Sequence, residues 1–349
     1  MEKDIILSVK DLHVKFTLRG QELHAIRGVS LDLYRGECLA LVGESGSGKS
    51  VFCKNFMGLL DANGFISGGE ILYNGMDLTK LKKPLEWRAL RGGEIAMIMQ
   101  DPMASLNPLK TVGEQIAEAV RLHQKDVAGR SAVREKVLGY LRDVGIGEPE
   151  RRYKQYPHEF SGGMRQRVVI ATALACSPKI LICDEPTTAL DVTIQAQIIR
   201  LLLDLKEKYG LTVIFITHDL GVVANVAERV AVMYAGQIVE LGMAEEIFYD
   251  PRHPYTWALL SSLPQLGERG EELATIRGTP PNLFKEIRGD AFAPRNPQAL
   301  KIDFVMEPPF FRVSDTHYAK TWLLDPRAPE VAPPAVLAAL RSRREVNGP

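Results

Sequence analysis

The chain has 349 residues, 43 Lys and Arg balanced by 43 Asp and Glu, and 46% hydrophobic residues, a length for two domains or one large core with an appendage. Balanced charge gives no global field that would gather nucleic acid or an anionic membrane surface. No apolar run approaches the ~18 to 20 residues of a transmembrane helix, and Met1-Glu2-Lys3-Asp4 lacks the basic and apolar regions of a signal peptide. Cys38, Cys53, Cys176 and Cys183 are scattered without metal-ligand spacing, as expected of small buried thiols in a reducing compartment. These bounds predict a soluble cytoplasmic protein.

Residues 5 to about 34 alternate apolar and polar side chains, as in Leu7-Ser8-Val9-Lys10 and Val14-Lys15-Phe16-Thr17, which predicts short antiparallel strands with one wet face. Phe16 fits a strand aromatic packed into the core, and its ring also suits stacking on a purine. An apolar strand, Cys38-Leu39-Ala40-Leu41-Val42, then runs into Gly43-Glu44-Ser45-Gly46-Ser47-Gly48-Lys49-Ser50, and an apolar-periodic helix follows from Val51 to Leu60. Gly, four residues, Gly-Lys-Ser between strand and helix is the pattern of a phosphate-cradling P-loop. Its backbone N–H groups and helix N-terminus attract phosphate oxygens. Lys49 adds a full charge, and the Ser50 hydroxyl suits a magnesium ion. Chance produces such a match in roughly one chain in a hundred of this length, so corroboration is needed. Gly69-Glu70-Ile71-Leu72-Tyr73-Asn74-Gly75 repeats the alternating pattern with an Asn-Gly turn.

An apolar strand at 95–99 leads to Gln100-Asp101-Pro102, where Gln100 is either a solvated strand end or a contact for magnesium and the attacking water. Apolar residues at helical spacing over 111 to 146, interrupted by a loop at 124–129, predict a helical insertion devoted to contacts. Ser161-Gly162-Gly163 precedes a helix through Ala175, either as a simple cap or as a second anion site. Ile180 to Cys183 form an apolar strand that ends in Asp184-Glu185. Ligands gather outside the carboxyl ends of buried parallel strands, which places Asp184 to hold magnesium and Glu185 to polarise a water. Ala189-Leu190-Asp191 begins another helix. The strand Thr212–Thr217 ends in His218-Asp219, where an imidazole can contact a γ-phosphate, and residues 230–241 give a final strand pair.

The ordered set of P-loop, Gln100, Ser161-Gly162-Gly163, Asp184-Glu185, Asp191 and His218 resembles the nucleotide-binding subunit of an ATP-binding-cassette (ABC) transporter over residues 5 to about 250. The resemblance implies an α/β fold: a RecA-like parallel-sheet core, an antiparallel β subdomain (5–34 and 69–75), a helical subdomain at about 101–165, and a C-terminal extension. It implies ATP with Mg2+ held by Ser50, Gln100 and Asp184, and catalysis by Glu185, His218 and Gln100. It raises Phe16 to the adenine-stacking position, although the family more often has Tyr there. Two cassettes of this family pack head to tail, so Ser161, Gly162 and Gly163 would serve the partner's nucleotide, and Asp191 is implied as a further nucleotide-binding position. Met164 departs from the commonest signature, which has Gln.

Gln100 through Pro108, His253-Pro254-Tyr255-Thr256 with Leu259-Leu260, and Gly278-Thr279-Pro280-Pro281 are similar to the oligopeptide and dipeptide permease branch. The implied function is the ATP-hydrolysing subunit of a peptide importer, peripheral on the cytoplasmic face of the membrane. Its implied partners are a related second ATPase, two transmembrane permeases and, indirectly, an extracellular peptide-binding lipoprotein, with no nucleic acid. Importers of nickel or another small solute, and a soluble ABC ATPase without a membrane partner, are the competing readings. The branch usually carries four cysteines for an iron–sulfur cluster after residue 250. Here Asp290, Asn296, Asp303 and Thr321 stand in that frame, and no cluster is expected, since oxygen and amide donors do not replace thiolates around soft iron–sulfur cores. Residues 251–325 form the branch-specific region, and 326–349, ending near Arg341-Ser342-Arg343-Arg344, read as a loosely ordered Pro/Ala-rich tail.

Overall fold

A computed structural model describes residues 4–188, 190–263 and 276–337; Ala189 and the end of the tail, with Arg341–Arg344, lie outside them. The chain opens with a hairpin of β1 (Ile5–Leu18) and β2 (Gln21–Tyr34), closed by Arg19-Gly20 at φ 51° and 79°, the left-handed pair that a tight hairpin turn needs. The strands are long rather than short. Buried Leu7 and Val9 would fall out of phase with buried Leu12, Val14 and Phe16, because the side-chain period of a strand is two. A bulge centred on Asp11, at φ 45°, absorbs the extra residue and shifts the register between Val9 and Leu12. The ladder therefore continues with one apolar face.

Beyond β3 (Cys38–Val42), β4 (Gly64–Tyr73) turns through Asn74-Gly75 into β5 (Met76–Asp77), completing an antiparallel sheet of order β2-β1-β4-β5. The second sheet collects β3 with β6 (Ile95–Ile98), β7 (Ile180–Asp184), β8 (Thr212–Thr217), β9 (Arg229–Tyr234), β10 (Gln237–Met243), β11 (Phe311–Arg312) and β12 (Tyr318–Ala319). Its order is β11-β12-β10-β9-β3-β8-β7-β6. β9, β3, β8, β7 and β6 are mutually parallel, so the carboxyl ends of β3, β6, β7 and β8 lie along one edge.

Alternation along these buried strands feeds two cores. Leu39, Leu41, Ile180, Ile182, Ile214 and Ile216 face the antiparallel sheet and Phe52 and Phe56 of the segment after the P-loop. Leu181, Cys183, Val213 and Phe215 face the other way, onto the helices Val112–His123, Gly162–Ala175 and Val192–Tyr209. The P-loop helix is shorter than its apolar pattern suggests. It spans Lys49–Lys54 and tightens into a 3-10 turn at Asn55–Met57.

The region after residue 250 is built into the same sheet. β12 pairs antiparallel with β10, Glu240 opposite Ala319, and a third core joins Ala40, Val42, Val230 and Tyr234 to Tyr255, Trp257, Leu260 and Phe292. Among the described residues no helix is long and apolar enough to cross a membrane.

One buried ion pair secures the turn that delivers β3. Arg229 Nη1 donates to Glu37 Oε1 at 2.9 Å, with both side chains under a tenth exposed, and its guanidinium stacks 4.6 Å over Tyr34. Burial pushes the Glu37 carboxyl up and Arg229 opposes that shift. Removing one partner strands a buried charge at a cost of about 3–5 kcal/mol. Arg229→Met is thus expected to lower the denaturant midpoint strongly. Arg200→Ala, which loses only the exposed pair with Asp204, should shift stability by no more than about 0.5 kcal/mol.

Candidate nucleotide site

The edge where the parallel strands end holds a cavity of about 910 Å³ that is lined by Phe16, Gly43, Lys49, Ser50, Gln100, Glu185 and His218, among others. Those residues come from β1, the P-loop and the first residues beyond β6, β7 and β8. The P-loop leaves β3 at Gly43, φ 149°, where a Cβ would stand 2.1 Å from the Met233 carbonyl oxygen on β9. No other residue lets the loop turn this close to the neighbouring strand. Gly48, at φ 103°, has a left-handed conformation and the Ala25 carbonyl 2.9 Å from a Cβ position. Glu44, Ser45 and Gly46 also line the cavity.

Lys49 is buried in the loop and donates to the Gly43 and Glu44 carbonyls at 2.7 and 2.9 Å. Burial pulls its ammonium below the ordinary value, against the attraction of Glu185, Asp184 and Glu44. Ser50 Oγ donates to Asp184 Oδ1 at 2.8 Å, tying the P-loop helix to the end of β7. Burial raises the Asp184 carboxyl, opposed mainly by the Ser50 hydrogen bond. Ser47 Oγ is buried without a hydrogen-bond partner among the described residues. The hard oxygen pair of Ser50 and Asp184 suits a magnesium ion.

Glu185, first residue beyond β7, has φ 46°, a left-handed conformation that costs a non-glycine residue about 1–2 kcal/mol. Its N–H donates to the Ile216 carbonyl at 3.0 Å, which extends the β7–β8 ladder and turns the side chain to face Gln100, Thr188 and His218. Glu185 Oε2 accepts from Gln100 Nε2 at 3.2 Å and from Thr188 Oγ1 at 2.8 Å. His218 Nδ1 lies 3.3 Å from Oε1. Burial pushes the Glu185 carboxyl up, but Thr188, His218 and Lys49 outweigh it and hold it below the ordinary value. The carboxylate is therefore ionised at neutral pH and protonates only as pH falls below the usual carboxylate range. An ionised carboxylate in a protein cavity can accept a proton from a bound water.

Phe16 packs edge-on over the Gly64 backbone, 2.6 Å from where a Cβ would sit, and lines the cavity with Leu18, Leu23, Leu259 and Leu283. Ser161, Gly162, Gly163 and Asp191 are not brought to this cavity. Ser161 caps the helix Gly162–Ala175, its Oγ accepting from Met164 N at 3.4 Å. Asp191 caps the helix Val192–Tyr209 by accepting from Ile194 N at 3.0 Å. Sequence reasoning missed Thr188, three residues beyond Glu185. It also assigns no role to Tyr255 and Leu259, although both belong to the stretch His253-Pro254-Tyr255-Thr256 with Leu259-Leu260.

Comparison with known proteins identifies the family and the fold. A family model described as "ABC transporter" matches residues 26–188, and one described as "Oligopeptide/dipeptide transporter, C-terminal region" matches 239–302. The chain is 58% identical to the oligopeptide transport ATP-binding protein AmiE of Streptococcus pneumoniae, across 99% of this chain and 98% of that protein. It is 59% identical to the oligopeptide transport ATP-binding protein OppD of Bacillus subtilis, across 96% and 94%. Among solved structures, the dimeric cassette MJ0796 superposes with a TM-score of 0.61 at 28% identity, over 68% of this chain and 98% of that one. The cassette cbiO1 of Clostridium perfringens gives 0.61 at 30%, over 71% and 92%.

The four residues in the cysteine frame of the C-terminal region have oxygen and amide donors that already close local turns. Asp290 accepts from Phe292 N, Asn296 from Gln298 N, Asp303 from Leu300 N and Thr321 from Leu323 N, at 2.6 to 3.3 Å. Burial pushes the Asp290 carboxyl up to about 6. Such donors do not fit an iron–sulfur cluster. The cysteines present sit elsewhere, and burial raises the Cys38 thiol to about 12 and that of Cys176 to about 11. Purified protein is expected to be colourless and iron-free. An absorbance band near ~400 nm with stoichiometric iron would show that a cluster is held.

Proposed function

This chain belongs to the oligopeptide and dipeptide branch of the ABC transporter ATP-binding proteins, and we propose how its site serves that activity. It is the ATPase of a peptide importer, and the observation that carries the mechanism is the convergence of Lys49, Ser50, Gln100, Glu185 and His218 on one cavity. The loop amides and Lys49 hold the β- and γ-phosphates, while the base lies at the apolar end with Phe16. Ser50, Asp184 and Gln100 would hold magnesium, which neutralises charge on the phosphates. Glu185, oriented by Thr188 and His218, takes the proton of the attacking water, and His218 stands next to the γ-phosphate.

Ser161, Gly162, Gly163 and Asp191 lie outside this chain's cavity, so they serve the nucleotide of a facing cassette. The dimer of the similar cassette MJ0796 supports that arrangement. We assign a related second ATPase as the partner, with closure of the pair driven by ATP as a ligand that prefers the closed state. Reversing a 1:99 equilibrium takes about 5.5 kcal/mol of differential binding. The helical insertion then presses on two transmembrane permeases from the cytoplasmic face, and an extracellular peptide-binding lipoprotein delivers cargo to them.

Glu185→Gln removes the proton acceptor while keeping the shape of the side chain. It is expected to retain ATP affinity and to lower turnover in the assembled transporter by about 10²–10⁴-fold; unchanged hydrolysis would take the base role from Glu185. Affinity purification from detergent-solubilised membranes should recover two hydrophobic permeases with the chain. Recovery of ribosomes or nucleic acid in their place would favour a soluble ATPase instead.

A further inference from the structure

We infer that the segment after residue 250 is a working part of this chain's nucleotide site: Arg295 and Tyr255 set the P-loop through Glu44, and Leu259 and Leu283 wall the end of the cavity that takes the base. The inference rests on the nucleotide reading above and adds residues far outside the cassette motifs.

A single peptide group carries the first half of it. The carbonyl of the Gly43–Glu44 peptide accepts from Lys49 Nζ at 2.7 Å, and its N–H donates to Tyr255 Oη at 2.7 Å. Tyr255 therefore fixes the plane of the peptide on which Lys49 rests, and the Glu44 N–H is committed to it. The Glu44 carboxylate is held as well. Arg295 Nη1 and Nη2 donate to its two oxygens at 2.6 and 3.0 Å, a bidentate pair that fixes direction as well as charge.

Arg295 is itself immobilised. Its side chain is 4% exposed, its guanidinium lies 5.8 Å from the Tyr234 ring and 5.9 Å from Phe292, and Nε donates to the Arg277 carbonyl at 2.9 Å. Tyr255 is fully buried against Tyr234, ring centroids 4.5 Å apart. A rigid aromatic support thus grips the first turn of the loop from the side away from β8.

Leu259 stands one helical turn beyond Tyr255 on the helix Pro254–Ser261, so the two share a face. Leu283 is anchored by its carbonyl, which accepts from His24 N at 3.0 Å, next to Ala25 of the cavity wall. Both leucines are half-buried and line the cavity with Phe16. An apolar wall there meets a base but not a phosphate chain. Arg295 and Tyr255 are positioning residues that act through Lys49, whereas the leucines touch the ligand.

The test measures ATP and inorganic triphosphate binding to the full-length protein by competition with a fluorescent nucleotide. Leu259→Ala combined with Leu283→Ala should weaken ATP about tenfold and change triphosphate by less than about twofold. Arg295→Lys, which keeps charge but loses the fork, should weaken both ligands alike. In a Lys49→Ala background the Arg295→Lys change should have no further effect, because its action runs through Lys49; Tyr255→Phe should behave as Arg295→Lys does. Equal losses for both ligands in the leucine variant, or none, would overturn the base wall. An additive effect of Arg295→Lys on Lys49→Ala would overturn the positioning role. Lys49→Ala with unaltered ATP affinity would instead refute the P-loop reading itself.

Discussion

Parallel pairing of β3, β8, β7 and β6 is the constraint on which the site depends. Val42 pairs with Thr217, Asp184 with Ile216, and Ile98 with Cys183, so four consecutive chain crossings finish within a residue or two of one line. Parallel strands require long crossover connections: here the β3–β6 connection carries the P-loop helix and β4–β5 on one face, and the β6–β7 and β7–β8 connections carry the helices of the other. The residues that leave the strand ends, Gly43, Gln100, Glu185 and His218, lie beyond the packed faces of the sheet and line the cavity. Polar residues are tolerated there because the sheet has stopped. A residue earlier in β7, as at Cys183, would bury a carboxylate between Cys38 and Phe215 in a dry core.

Charge is divided along that edge so that each group keeps the state its task needs. Asp184 is buried and its carboxyl is raised, yet a donating serine and two lysines oppose the shift. Its neighbour Glu185 is more open, and hydrogen bonds from Thr188 and His218 with the charge of Lys49 hold its carboxyl below the ordinary value. Adjacent residues in sequence thus have opposite shifts, because one ends a strand and the other turns out of it. The left-handed backbone at Glu185 is the strain that makes this division possible, and the Ile216 carbonyl fixes it in place.

How much of this was legible beforehand depended on how local the cause was. The strand–loop–helix around Lys49 and the apolar runs ending in polar residues are local patterns, and they located Gln100, Asp184, Glu185 and His218. Strand lengths at the amino terminus were misjudged, because a bulge at Asp11 keeps a broken alternation on one face and no single-strand pattern registers it. Thr188 escaped notice, since a threonine four residues past a strand is unremarkable until the Glu185 backbone turns left-handed.

The amino-acid sequence by itself determined that the chain carries a P-loop pattern between strand and helix and carboxylates at strand ends, because short-range spacing enforces both. Only the tertiary structure decided which groups share a cavity, and it left Ser161, Gly162, Gly163 and Asp191 outside it. It also decided that Tyr255 and Arg295, 211 and 251 residues away from Glu44 in the chain, hold the loop. Contacts of that separation have no periodicity to betray them. They exist because Tyr255 and Phe292 pack into the core with Ala40, Val42 and Tyr234, which brings the segment after residue 250 against the strand that opens the site.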